Sequence, residues 1–388
     1  MKHTNWSFLL TLLAAPALAT PRMAIFGDRY ATGSAAASAY QLDFTSTWQQ
    51  LEAPPAHTLS PTDLQRLAQH GFVPPFVAPR TVWFSKHEFV TGLDWSLKYL
   101  LQGLSHLYYN EEAISWGALL GKKYNLSAEE VLLVAHMGDS IANFPAQVER
   151  MLQATGGEIP ERILIWFPIE DLCHAPLSAP ASKEAYRTAL RKGLDRLASK
   201  GRPAPKGSRI WVLSPLKATQ LLLSASIQEK SVYAFGATTT CKKLRETNFH
   251  PGPLPALDKA PPMAAYLADL IPPNPARMCP SFFAQKILAQ NEVSLFSSES
   301  KRKKEIADKI EAATGNLSQT IRDYRSVGKE ETEKLQKEWA TKSSPLTLQW
   351  VTATEELQLE GDDIAADCFQ LSLAGHIKME QLLEKVIQ

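Results

Sequence analysis

Gly138-Asp139-Ser140 places a hydroxyl directly after a glycine and an acid, with His136 four positions from that serine. Ser34 follows Gly33 in an earlier turn-rich stretch, and His174 and His376 lie further along. Such residues suit acyl transfer. A serine attacks a carbonyl once a base removes its proton, an acid orients the base, and preorganised donors hold the oxyanion. Other reactive side chains gather in short segments: Asp28-Arg29 after Phe26-Gly27, Glu170-Asp171 after Pro168-Ile169, and Asp367-Cys368-Phe369-Gln370. The spacing of three between Asp367 and Gln370 sets two side chains on one local turn.

These segments need a frame, and most of them directly follow an apolar run. Met23 to Phe26, Val131 to Ala135, Ile163 to Phe167 and Ile210 to Leu213 read as short buried strands, and Leu346 to Thr352 as a strand of alternating character. Helical spacing marks 85 to 123, Ala146 to Leu152, Lys183 to Leu197, Ser300 to Lys342 and Gly375 to Val386. Gly315 and Gly328 predict interruptions in the fourth of these. Residues 44 to 80 and 250 to 280, rich in proline, read as surface excursions and loops. Strands separated by helices, each strand a continuous apolar run, predict a parallel sheet covered on both faces, an α/β/α sandwich. In such sheets the ligand site lies at the carboxyl ends of the strands, where the reactive segments stand.

The chain of 388 residues begins with Lys2 and His3, a mostly apolar run from Phe8 to Leu13, and Ala17-Leu18-Ala19. That order is the outline of a secretory signal peptide over residues 1–19, with residues 20–388 read as one domain. The net charge is +1, and the loss of Lys2 with the signal brings it to zero, which argues against nucleic acid as a partner. A hydrophobic content of 45% suits a globular core, and no stretch reads as a transmembrane span, so a soluble mature chain is expected. The basic run Lys301 to Lys304 reads as a solvated helix face. Four cysteines, Cys173, Cys241, Cys279 and Cys368, suggest one or two disulfides in an exported protein, with three pairings open. Their wide spacing does not fit a zinc site, and no cofactor motif is present.

Taken in order, the segments resemble the conserved blocks of the SGNH (GDSL) hydrolase family, in its phospholipase B-like and esterase branch. Phe26-Gly27-Asp28-Arg29 with Gly33 resembles the first block, whose nucleophilic serine falls at Arg29. Ser115-Trp116-Gly117, then Gly138, then Pro145-Ala146-Gln147-Val148, resemble the second, and Gly138 matches the glycine whose N–H holds the oxyanion. Pro168-Ile169-Glu170-Asp171-Leu172-Cys173 resembles the third, whose oxyanion asparagine falls at Glu170. Asp367-Cys368-Phe369-Gln370 with Ser372 and Gly375-His376 resembles the fifth: Asp367 matches the orienting aspartate, and Gln370 stands at the position of the catalytic histidine. The resemblance covers nearly all of the mature chain and implies the family's three-layer fold.

It also implies lost chemistry. Arg29 stays protonated and offers no nucleophilic atom, Gln370 cannot shuttle a proton as imidazole does, and an ionised Glu170 repels an oxyanion. The family's geometry would make these positions converge, so Arg29 is expected to pair with Glu170, Asp367 or both and to fill the old pocket. The resemblance thus points to a secreted or periplasmic pseudoenzyme derived from a lipid or acyl ester hydrolase, binding a lipid, acyl or glycan ligand or a protein partner. Two other readings remain open: an active esterase with a rearranged site using Ser140 with His136 or His376, and an envelope interaction protein making contacts through a helical insert at 85–123. His376 is expected to pack or to start the last helix, His136 to pack in the core, and His174 to line the rim of the site.

Overall fold

The structure is a computed structural model that describes residues 21–33, 115–136, 138–173, 180–234, 237–246, 279–294, 297–365 and 368–387. Its centre is a five-stranded sheet of β1 (Met23–Gly27), β2 (Val131–Leu133), β3 (Arg162–Trp166), β4 (Ser208–Leu213) and β5 (Leu346–Val351), in the order β2-β1-β3-β4-β5. Every neighbouring pair is parallel. The register runs straight across: Phe26 pairs with Ile165, Ile165 with Val212, and Val212 with Trp350.

That register assigns the helices to faces. Neighbouring residues of a strand point to opposite sides of the sheet, and paired residues of adjacent parallel strands point to the same side. On the Ile25 side lies α2 (Trp116–Lys123); a side chain at Gly117 would meet Ile25 at 2.7 Å, so only glycine lets the helix sit that close. On the Phe26 side lies α3 (Phe144–Ala154), whose Phe144 ring meets Phe26 edge-on at 5.5 Å. Trp350 shares the Phe26 side and packs against Gly328 of the long α8 (Glu299–Thr341). Between α3 and α8 lies α4 (Lys183–Lys200), α7 (Gln285–Glu292) packs on α8, and the closing α9 (Leu373–Glu384) packs against α2. The sheet is therefore flanked by helices on both faces, the three-layer α/β/α sandwich that the apolar pattern predicts. One hydrophobic core takes residues from Met23 to Ile387.

Several boundaries and one element differ from the sequence-based expectation. The second strand ends at Leu133 rather than Ala135, because the amides of Val134 and Ala135 both turn to the carbonyl of Ile25. The third helix starts earlier, at Phe144, with Pro145 in its first turn, where a missing N–H costs nothing. Neither Gly315 nor Gly328 interrupts α8, which is continuous over 43 residues. Gly328 is a contact residue: a Cβ there would stand 2.6 Å from the Trp350 ring. An antiparallel pair, Ser231–Ala234 with Ala237–Thr240, was not legible as strands. The signal segment 1–19, the excursion at 44–80 and the part of the helical insert from 85 to 114 lie outside the described residues.

Strand order locates the crevice. The chain runs from β1 outward to β2, then returns to the other side of β1 for β3, so the order reverses between β1 and β3. In open α/β sheets the ligand crevice forms at the carboxyl ends of the strands at such a reversal. The residues there are those after Gly27 and those after Trp166.

Candidate functional site

The turn after β1 begins with Asp28, which caps the single helical turn α1 (Arg29–Thr32) by accepting from the Tyr30 amide at 2.9 Å. Its other carboxylate oxygen crosses to the segment after β3 and accepts from the amides of Ile169 (2.9 Å) and Glu170 (3.1 Å). Asp28 is fully buried, and two of the three N–H bonds it accepts stitch the two site loops together at the reversal point. Burial, followed by the nearby Glu170 carboxylate, pushes Asp28 up to about 8 against the pull of those three donors.

Arg29 and Glu170 meet across this joint. The Arg29 Nε donates to the Glu170 carboxylate, and both residues are buried, 8% and 7% exposed. The guanidinium carbon also lies 5.0 Å from the centroid of the Phe369 ring, a cation–π contact from the segment preceding α9. Phe369 is held in turn by Tyr30, whose hydroxyl donates to the Phe369 carbonyl at 2.5 Å. Trp116 closes the ring of support: its indole N–H donates to the Tyr30 carbonyl at 3.0 Å, and it stacks edge-on against Trp166 at the end of β3.

The segment after β2 joins the same centre from the other side. Gln147 of α3 brackets Gly27, accepting from its amide (3.0 Å) and donating to its carbonyl (2.8 Å), and also donates to Asp139 (2.9 Å). Asp171 accepts from the Ile141 amide at 2.9 Å, tying the Glu170 turn to the Gly138 loop; burial pushes its carboxyl up to about 7. Gly138 has φ +87°, the left-handed region that favours glycine, and a side chain there would meet nothing within 4 Å.

Of the sequence-predicted site residues, Arg29, Glu170, Gln370 and Gly138 are thus brought to one end of the sheet, on loops that bond to each other. Gln370 follows Phe369, is 2% exposed, and its carbonyl accepts from the Ala365 amide at 2.8 Å. Asp367, His174 and Ser34 lie outside the described residues. Ser140 is a helix-start residue, its amide and hydroxyl both directed at the Asn143 side chain (3.1 and 3.3 Å). His376 is fully buried in α9, its Nδ1 accepting from the Trp116 amide at 3.1 Å, and burial lowers it to about 3. His136 does not pack in the core as expected. Its side chain is 38% exposed, with Nδ1 3.6 Å from Asp139, and its amide bonds the Gly27 carbonyl at 3.2 Å.

Asp28, Gln147 and Phe369 also belong to the centre, although none of them was singled out as a site residue. Their signal was positional: each sits inside a block that resembles the family. Tyr30 lies inside the first of these blocks as well. The disulfides are Cys173–Cys279 and Cys241–Cys368, one of the three pairings open in the sequence, and each starts within or next to a site loop. Among the described residues no group of three or more His, Cys, Asp or Glu side chains could hold a metal ion. Chemically, the arrangement presents a buried ion pair at the carboxyl ends of the strands, where the strand order reverses. Compared with known proteins, the chain matches no family model and no curated protein.

Proposed function

We propose that this protein is an exported, catalytically inactive derivative of an SGNH-type ester hydrolase, whose former reaction centre is closed by its own side chains. Its role is then to bind a lipid, acyl or glycan ligand, or a protein partner, rather than to turn a substrate over. The observation that carries this reading is the buried Arg29–Glu170 pair under Phe369, at the strand-order reversal where a ligand crevice would form. A guanidinium there supplies no nucleophile, and its ion pair occupies the space that an acyl carbonyl would need. The engagement of Ser140 with Asn143, and the burial of His376 against Trp116, weigh against a rearranged site built on those two residues. Export is supported by the two disulfides, which persist in oxidising compartments. No helix among the described residues is long and apolar enough to cross a membrane.

The test is hydrolysis of short p-nitrophenyl esters by the purified mature chain beside Ser140→Ala. Background rates for both proteins are expected. Turnover that disappears in Ser140→Ala overturns the reading. Turnover that appears only when Arg29→Ser, Glu170→Asn and Gln370→His are combined supports descent from an active enzyme.

A further inference from the structure

The closed centre is packed against a neighbouring segment whose Cys279, Phe282 and Phe283 are buried with it, and that segment is cross-linked to it. Cys173 ends the turn that carries Glu170, its amide bonded to the Glu170 carbonyl at 2.9 Å. Its disulfide partner Cys279 caps the short helix α6 (Pro280–Phe283). From α6, the Ser281 hydroxyl donates to the Leu172 carbonyl at 2.5 Å, and the Phe283 ring stands edge-on to Phe369 at 5.0 Å. Phe283 also receives Arg245, of α5 (Cys241–Glu246), with its guanidinium carbon 5.0 Å from the ring centroid. Arg245 also donates to the Cys368 carbonyl at 3.0 Å. The result is a chain of contacts, Arg29 with Phe369, Phe369 with Phe283 and Phe283 with Arg245, with both disulfides adjoining it.

The two disulfides differ in exposure. Cys241, Cys368 and Cys279 are buried, whereas Cys173 is half-buried. Cys368 also has φ +60°, a region that non-glycine residues occupy only when their surroundings hold them there. Its bond to Cys241 belongs to that hold.

We propose that Cys173–Cys279 is a redox latch that keeps α6 over the Arg29–Glu170 centre, while Cys241–Cys368 is the permanent strut beside it. The proposal rests on the reading of this centre as closed. A dithiol, small or carried by an oxidoreductase, attacks through its thiolate. The Cys173–Cys279 bond breaks, a mixed disulfide forms, and the second thiol of the reductant resolves it. The protein disulfide takes up two electrons and two protons to become two thiols, and the dithiol leaves as its own disulfide. With the tie gone, α6 is held to the Glu170 turn only by non-covalent contacts such as Ser281 with Leu172 and Phe283 with Phe369. Local opening then uncovers Phe369 and, beneath it, the ion pair.

The experiment uses the full mature chain, folded oxidised and then treated with dithiothreitol under native conditions. Alkylation at increasing times identifies which cysteines are freed, and amide hydrogen exchange reads opening at 169–173 and 368–371 against Ile25 and Leu164 of the sheet. Expected are early labelling of Cys173 and Cys279, and an increase in exchange at the two loops that exceeds the increase at the sheet by roughly tenfold or more. First labelling of Cys241 and Cys368, unchanged loop exchange after the bond is cut, or an equal increase at loops and sheet overturns the latch; the last would mark a global staple. The readout is independent of turnover, so ester hydrolysis would sink the inactive reading without deciding the latch, and the exchange result decides the latch alone.

Discussion

Arg29 and Glu170 owe their burial to each other. Either one alone in that position would be a charge removed from water without a partner, and removing one member of a buried pair typically costs about 3–5 kcal/mol. Arg29→Ala is therefore expected to lower the thermal midpoint by several degrees, and a melt matching wild type would show that the pair contributes little. Asp171 gives a prediction with a defined sign. Its folded pKa of about 7 lies above the unfolded value of about 3.9, so the fold prefers the protonated form. The contribution is fully present below about pH 4 and is lost as pH rises through about 7. Asparagine keeps the oxygen that accepts from Ile141 but does not titrate. Between about pH 4 and about pH 8 the urea midpoint of wild type should thus fall relative to that of Asp171→Asn, by an amount on the order of a few kcal/mol in stability. His376 runs the other way, with a folded value of about 3: it contributes above about pH 6.5 and loses that contribution on acidification. It is common to both proteins, so the difference between them isolates Asp171.

At the scale of elements, α8 tests how far local propensity decides structure. Glycine inside a helix costs about 1 kcal/mol relative to alanine, which is why two of them predict interruptions. The helix continues because its second half is buried: Leu317, Ile321, Tyr324, Val327 and Leu335 lie in the core. The ion pairs of Arg191 in α4 with Glu331 and Glu338 add to the join. The two glycines then separate experimentally. Nothing approaches a Cβ at Gly315, so Gly315→Ala should stabilise by up to about 1 kcal/mol. At Gly328 the same substitution meets the Trp350 ring and should destabilise by about 1–3 kcal/mol through overpacking. Chemical denaturation of both variants checks this, and equal effects would show that packing on Trp350 is not what Gly328 provides. The strands were easier to read. Met23 to Phe26, Ile163 to Phe167 and Ile210 to Leu213 are continuous apolar runs because parallel strands are buried on both faces, and each lies within one residue of the observed strand at its C-terminal end. Ser231–Ala234 and Ala237–Thr240 escaped notice because they form a two-stranded pair outside the main sheet, where no long apolar run is required.

For the molecule as a whole, the apolar runs and the helices between them already determined a parallel sheet with covered faces, since buried strands and crossover helices leave their mark residue by residue. The same linear reading placed Arg29, Gly138, Glu170 and Gln370 after strands or in one block, and charge complementarity alone suggested that Arg29 would find an acid. Strand order was a different matter, because it depends on which apolar edges meet, and every run offers similar edges. Only the assembled sheet put β1 between β2 and β3 and so set the turns after Gly27 and Trp166 side by side. Only tertiary structure chose Glu170 as the partner of Arg29, turned Asp28 into the bond between the two loops, and laid Phe369 and Phe283 over the pair. The cysteine pairing was likewise decided there: four thiols far apart in sequence carry no mark of their partners, and the folded chain brings Cys173 to Cys279 and Cys241 to Cys368. Residue type and period are local and can be read along a chain, whereas contacts between distant loops exist only once the core has fixed the loops' positions.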